Sequence, residues 1–234
     1  AALPGLEELT VKGVEGRLAA LEADTSLEAG VKEAGREKLT AALEQLKTRD
    51  ADLAQMKKYE EVVATATEVM AELARQTEAA AVSEDTAGLV TAEERALPTD
   101  QLKAVATAQD ATLGTQRNAL SALTEKLAAE KGRSGKIAGE MATAQQMLRE
   151  AEAALAELQG AEVVSEEEAE QLWNRARKEA AEAALKKLDL EGRSSGQRLR
   201  VRQAKVDYEM AVEARAAARK KVLEGVLAKR LEAD

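Results

Sequence analysis

A long run of mainly apolar residues, spaced alternately three and four apart, is the feature that most restricts the fold of this chain. Such spacing keeps one stripe of a helix facing a partner helix, whereas a half-buried strand needs alternation at every second residue. The repeat therefore predicts a long helix over 27–80 that packs as a coiled coil. Its members are Leu39, Ala42, Leu46, Arg49, Leu53, Met56, Glu60, Val63, Thr67 and Met70.

Three polar residues interrupt this seam, namely Arg49, Glu60 and Thr67. Two interpretations of them stay open. Either they set the register of the helix pair at a cost in stability, or they lie where the partner helix has ended.

Helix-breaking and capping residues divide the rest of the chain into segments. Asp24, Thr25 and Ser26 predict a turn, 83–98 predicts a loop, and the paired glycines in 131–135 and 192–196 predict further breaks. Gly160 is expected to end one helix, and Ser165 to Glu168 form the capping-box pattern of the next. We therefore predict an all-α fold, a single elongated domain of antiparallel helical hairpins or a coiled-coil bundle. Its six helical segments are 7–23, 27–80, 100–130, 134–158, 166–188 and 196–231.

The composition favours slender helices and offers little for catalysis. The chain has no Phe, His or Cys and one Trp, and much of its apolar content is Ala, whose small side chain removes little surface from water. Without His or Cys the common general bases and thiol nucleophiles are absent, so we predict no enzyme, no cofactor and no metal site. Glu166 and Glu170 are interpreted as a solvated acidic face, and Trp173 as a packing residue between helices.

The charge of the chain is unevenly distributed. The net charge is −9, which argues against nucleic acid as a partner. Residues 186–231, however, hold thirteen Lys or Arg against six Asp or Glu. This surplus either pairs with acidic neighbours such as those in 162–170 or contacts an anionic surface.

Three stretches taken together resemble a known family. They are ALEADTSL at 20–27, KGRSGKIAGEMATAQQMLREAEAALAEL at 131–158, and AKVDYEMAVEARAAARKKVLEGVLAKRLEAD at 204–234. They are similar to the N-terminal periplasmic helical region of the large mechanosensitive channels of the MscS superfamily. At Ser134 and Gly135 the chain departs from the family pattern, which tends to place Pro after the Arg.

The resemblance implies a function outside the pore. It implies a periplasmic extension that modulates or couples tension-gated channel activity, at the periplasmic face of the bacterial inner membrane. The whole protein would be a homo-oligomer, with a heptamer as the suggested form, assembled through membrane helices that follow Asp234. The basic last helix could then contact lipid headgroups through Arg198, Arg200, Arg202, Lys220, Lys221, Lys229 and Arg230.

An alternative function is a free-standing coiled-coil scaffold or adaptor of the cell envelope. The gene distinguishes the two hypotheses. Apolar runs long enough to span a bilayer directly after Asp234 favour the channel, whereas a stop codon there favours the scaffold.

Overall fold

The protein is helical throughout the part that the structure describes. A computed structural model describes residues 9–82, 86–158 and 165–232, and no strand occurs among them. This confirms the predicted all-α fold. The helices are α1 (Val11–Ala23), α2 (Ala29–Ala80), α3 (Ala92–Ala96), α4 (Thr99–Glu157) and α5 (Ser165–Leu231), with a 3₁₀ turn at Ala87–Leu89 before α3.

Two of the predicted helix breaks are wrong. Helix α4 continues through 131–135 and α5 through 192–196, so four predicted segments are two long helices. A glycine in a helix costs only about 1 kcal/mol relative to alanine. Packing on both sides outweighs that cost, because Leu127 and Ile137 are buried on α4 and Leu188 and Val201 on α5.

The remaining breaks fall where the structure has connections or outside the described residues. The turn at Asp24 to Ser26 separates α1 from α2, and the predicted loop at 83–98 contains the 3₁₀ turn and α3. Gly160 lies outside the described residues, as do the side chains of Ser165 and Glu166, so the capping box of α5 stays a prediction.

The chain divides into two compact units, each built from parts of the three long helices. The first unit contains Ala1–Glu61 and Ser134–Ser194, and the second contains Val62–Arg133 and Ser195–Asp234. The single domain predicted from the sequence stays a prediction.

The core of the first unit is formed where α1, the start of α2 and the start of α5 meet. The predicted seam residues Leu39, Ala42 and Leu46 are buried here. Gly35 allows α1 to approach α2 closely, since a Cβ at this position would lie 3.0 Å from Leu21 Cδ2. The buried core residues are Leu9, Val14, Leu39, Ala42, Leu43, Leu46, Ala169, Leu172 and Ala176.

The core of the second unit joins the end of α5 to the start of α4. Val90, Leu102 and Leu223 are its buried residues, and each is at most 2% exposed. The adjoining helix α3 begins with a capping box, in which Thr91 and Glu94 satisfy each other's backbone N–H groups. The segment that leads from α2 to α4 is thereby packed against the last turns of α5.

Candidate functional site

The candidate site predicted from the sequence consists of seven basic residues of α5. The structure divides them into four that contact groups of the chain itself and three that are exposed. Arg198 is 4% exposed and one of its guanidinium nitrogens lies 2.6 Å from Glu130 Oε1 on α4. Arg202 Nε donates to Glu130 Oε2 at 3.1 Å. A buried charge needs a partner to offset the loss of its hydration. Arg198 therefore attaches α5 to α4 away from water, whereas Arg202, whose side chain is 40% exposed, binds the same carboxylate from the surface.

Lys220 is also engaged within the chain. Its ammonium donates to Asp110 of α4 and lies 3.7 Å from Glu224 of α5. The hydrogen bond to Asp110 raises the pKa of Lys220, and the same bond lowers the pKa of the Asp110 carboxyl. Lys220 thus forms a surface ion pair between α4 and α5.

Arg230 belongs to a set of three arginines on α5 that bind backbone carbonyls, and we call this set the carbonyl-binding arginines. Arg215 donates to Ala79 O at 2.7 Å, at the end of α2. Arg219 donates to Glu94 Oε1 at 2.6 Å and lies 3.4 Å from Leu89 O. Arg230 donates to the carbonyls of Arg95 and Leu97. Carbonyls at helix ends lack partners within the helix, so these arginines satisfy acceptors in the connection from α2 to α4.

Sequence reasoning did not single out Arg215 and Arg219, although a signal was available. At about 100° per residue, positions 215, 219 and 230 lie within about 60° of one another around an ideal helix. A row of arginines on one helix face, rather than lysines, favours multiple fixed hydrogen bonds over a solvated charge.

The other three predicted residues, Arg200, Lys221 and Lys229, are exposed. An ideal helix places them within about 80° of one another, so they share one side of α5. We call them the exposed basic face. The structure therefore leaves three of the seven predicted residues on one exposed side of α5, while the other four contact groups of the chain itself.

The acidic partners differ from those expected. The predicted partners in 162–170 pair instead with α1 and α2, through Arg17 to Glu168 at 3.1 Å and Lys38 to Glu170 at 3.5 Å. The basic residues of α5 pair with acids on α4 and α3, among them Glu130, Asp110 and Glu94. Glu168 and Glu170 belong to the first unit, whereas the basic residues from Arg198 onward belong to the second.

Arg49 in the seam of α2 is a second buried cation that the sequence left open. It donates to Leu9 O at 2.7 Å and to Glu179 Oε2 at 2.5 Å, and its side chain is 16% exposed. Burial by itself would lower its pKa, but hydrogen bonds to Asp50 and Glu179 outweigh burial and raise it. Glu60 and Thr67 are exposed. Of the three polar seam residues, Arg49 is the one that joins helices and can fix their register.

Trp173 packs in the first unit, as the sequence suggested. It is half-buried against the core formed by α1, α2 and α5. Lys38 Nζ lies 4.0 Å from the ring centroid, and the guanidinium carbon of Arg177 lies 4.9 Å from it. Both cations are therefore close enough for cation–π contacts with the indole. Its indole is a natural fluorescent reporter of this unit.

Other site chemistry is sparse in the part of the chain that the structure describes. A cavity of about 150 Å³ in the first unit has a mixed lining. Leu21, Leu39 and Leu172 are among its apolar residues, and the Arg17–Glu168 pair is among its charged ones. Across residues 9–82, 86–158 and 165–232, no group of three or more Asp or Glu side chains is placed to hold a metal ion. Within these same ranges no helix combines the length and apolar character needed to cross a bilayer.

Comparison with known proteins gives one match. A family model described as "Mechanosensitive ion channel porin domain" matches residues 17–234. No curated protein and no solved structure matches the chain.

Proposed function

The chain belongs to the mechanosensitive ion channel porin domain family, and from this membership we propose that it is the periplasmic extension of a tension-gated channel. On this proposal the chain is not the pore and modulates or couples gating from outside the bilayer. The observation that carries the proposal is the extent of the family match, which includes all but the first sixteen residues.

The contacts at the end of α5 support a role in coupling. The carbonyl-binding arginines and the core of Val90, Leu102 and Leu223 hold the last turns of α5 against the connection from α2 to α4. A domain can bias a closed–open equilibrium only if its contacts differ in free energy between the two states. In a channel whose membrane helices follow α5, a load on this helix would act on these contacts first.

Assembly and location follow from the same proposal. The parent protein would be a homo-oligomer, with a heptamer as the expected form, and this domain would lie at the periplasmic face of the inner membrane. The exposed basic face, Arg200, Lys221 and Lys229, would contact anionic headgroups there, since these side chains are exposed and share one side of α5.

Patch-clamp recording tests the proposed modulation directly. The channel with residues 1–234 deleted should conduct but open at a different membrane tension from the intact channel. A matched pair of variants refines the test: Arg219→Gln with Arg230→Gln should shift the threshold, whereas Lys57→Gln with Lys58→Gln, two exposed lysines of α2, should not. An unchanged threshold in the deletion would contradict modulation.

The gene gives a separate test of the alternative function. A stop codon directly after Asp234 would favour the envelope scaffold over the channel.

A further inference from the structure

The cavity in the first unit, which we call the α1 cavity, lies beside the core of that unit. It has a volume of about 150 Å³, is open to solvent on part of its surface, and is lined by residues of α1, α2, α5 and the turn after α1. Leu39, Ala169 and Leu172 form its inner wall, and each of them is at most 4% exposed. An engineered apolar cavity of about this size in another protein holds a benzene molecule. The α1 cavity therefore has room for one ring or a short alkyl group.

The polar groups of the α1 cavity are separated along helix α1. Arg17 and Asp24 both line it, and they are about two helical turns, or about 10 Å, apart. Ala20 and Leu21 lie between them and also line the cavity. A polar group at each end with apolar side chains between them suits a ligand that has an apolar body and a polar head.

Charge distinguishes the two ends of the α1 cavity. At one end Arg17 Nη1 lies 3.1 Å from Glu168 Oε1, so the two charges offset each other. At the other end Asp24 Oδ1 accepts from the hydroxyl and the backbone N–H of Ser26, at 2.6 and 2.8 Å, and these bonds lower the pKa of the carboxyl. Lys32 adds the smallest effect on that pKa, and its ammonium donates to a backbone carbonyl of α1 at 3.3 Å. The lining therefore has one charge without an ion-pair partner in the lining, and that charge is negative.

We propose that the α1 cavity binds a small organic ammonium ion. Its apolar group, about the size of one ring, would lie against Leu39 and Leu172, and its charged head would lie at Asp24. A monocation complements the unpaired charge of the lining, whereas an anion would have to displace Glu168 from Arg17. This site goes beyond the proposed function, because neither the family match nor a role in gating requires a ligand here.

Three probes that share one ring separate the effect of charge from that of size. At neutral pH benzylamine is positively charged, benzyl alcohol is neutral and benzoate is negatively charged. Ligand-observed NMR titration of the full chain measures their dissociation constants, which for molecules this small should be in about the millimolar range. Benzylamine should bind about tenfold more tightly than benzyl alcohol, and benzoate should bind most weakly. Benzylamine that does not saturate, or that binds no more tightly than the other two probes, would overturn the proposal.

Two neighbouring alanines of α1 test the place of binding. Ala20→Leu adds a larger side chain to the lining of the cavity and should weaken benzylamine binding by about tenfold or more. Ala19→Leu is the matched control, because Ala19 is equally exposed but does not line the cavity, and its affinity should stay unchanged. Both variants should keep the fold, since leucine and alanine have similar helix propensities. Equal affinities of the two variants would overturn the site.

The charged end of the cavity is tested by Asp24→Asn. The asparagine oxygen can still accept from Ser26, so the turn is kept while the charge is lost. Benzylamine should then bind about as weakly as benzyl alcohol binds to the unchanged chain. Glu22→Gln is the control, since it removes the charge of an exposed residue in the same turn that does not line the cavity.

An unchanged affinity in Asp24→Asn, or an equal loss in Glu22→Gln, would overturn the assigned role of Asp24. Circular dichroism checks that each variant keeps its helicity. If Asp24→Asn loses helicity, the ratio of the benzylamine and benzyl alcohol affinities in the unchanged chain decides, and a ratio near one would overturn the role of the charge.

Discussion

At the scale of single residues, several arginines of α5 make contacts within the chain that lysines of the same helix do not make. Arg198, Arg219 and Arg230 are buried or half-buried and bind carboxylates or carbonyls. Lys221 and Lys229 are exposed. A guanidinium is less strongly hydrated than an ammonium and offers several donors in a fixed plane, so it is better suited to contacts away from water. The type of cation does not decide its use by itself, however, since Arg200 is exposed and Lys220 pairs with Asp110.

The Glu94 carboxyl gives a prediction about acid stability. Its bond from the Thr91 backbone N–H, and then the charge of Arg219, lower its pKa below the ordinary value of 4.5. A group with a lowered folded pKa contributes stability above its unfolded pKa and loses it as the pH falls through the folded pKa. Glu94→Gln should therefore reduce the free energy of unfolding by about 1 kcal/mol at pH 7, and by progressively less in acid below pH 4.5.

Urea unfolding followed by circular dichroism at neutral and acidic pH measures this difference. Glu93→Gln is the control, because it removes a neighbouring exposed carboxylate of α3. A loss of stability in Glu94→Gln that stays constant at every pH would contradict the assigned role of the carboxylate.

At the scale of elements, the apolar repeats identified the helices. They did not show which residues of each apolar stripe a neighbouring helix would bury. On α2, Leu39, Ala42 and Leu46 are buried as the seam predicts, yet Leu53 further along the same seam is 41% exposed. On α5, Leu223 is fully buried, whereas Met210 is 53% exposed. Periodicity depends on one helix alone, whereas coverage depends on which helices lie beside it.

The glycines of α4 allow a test of helix continuity at 131–135, where the sequence predicted a break and the structure has none. Gly132 and Gly135 are exposed, and a Cβ at either would meet nothing within 4 Å. In a continuous helix, Gly132→Ala with Gly135→Ala should raise the free energy of unfolding by up to about 2 kcal/mol. Ala138→Gly, at an exposed position of the same stretch, is the reciprocal control and should lower it. No gain from the two alanines in thermal or urea unfolding would indicate that the helix is interrupted there.

At the scale of the whole molecule, the charge surplus of α5 is divided between internal and external use. The net charge of −9 would keep the chain away from an anionic surface. Ion pairs with Glu130, Asp110 and Glu94 engage several of the basic residues. Of the seven predicted residues, Arg200, Lys221 and Lys229 are left exposed on one side of α5. These three are therefore the predicted residues to which we assign the proposed contact with headgroups.

Co-sedimentation with liposomes measures that contact. Wild-type chain should bind vesicles rich in anionic lipid, bind neutral vesicles less, and dissociate as salt rises. At about 1 kcal/mol per contacting cation, Arg200→Gln with Lys221→Gln and Lys229→Gln should weaken binding by roughly a hundredfold. Lys57→Gln with Lys58→Gln and Lys126→Gln removes the same charge from other exposed sites and should have a much smaller effect. Binding that depends on neither anionic lipid nor salt would refute the contact.

The sequence by itself determined the all-α fold, the helical seam of α2 and the family, because period, capping residues and motifs are properties of short stretches of chain. It could not determine that α4 and α5 run through their paired glycines, since the packing that outweighs a glycine comes from distant residues. Nor could it assign Arg198 and Arg202 to Glu130, or Arg230 to the carbonyls of α3 and its end. Tertiary structure alone decided which cations are buried, because the partner of a charge depends on which helices are neighbours and at which register.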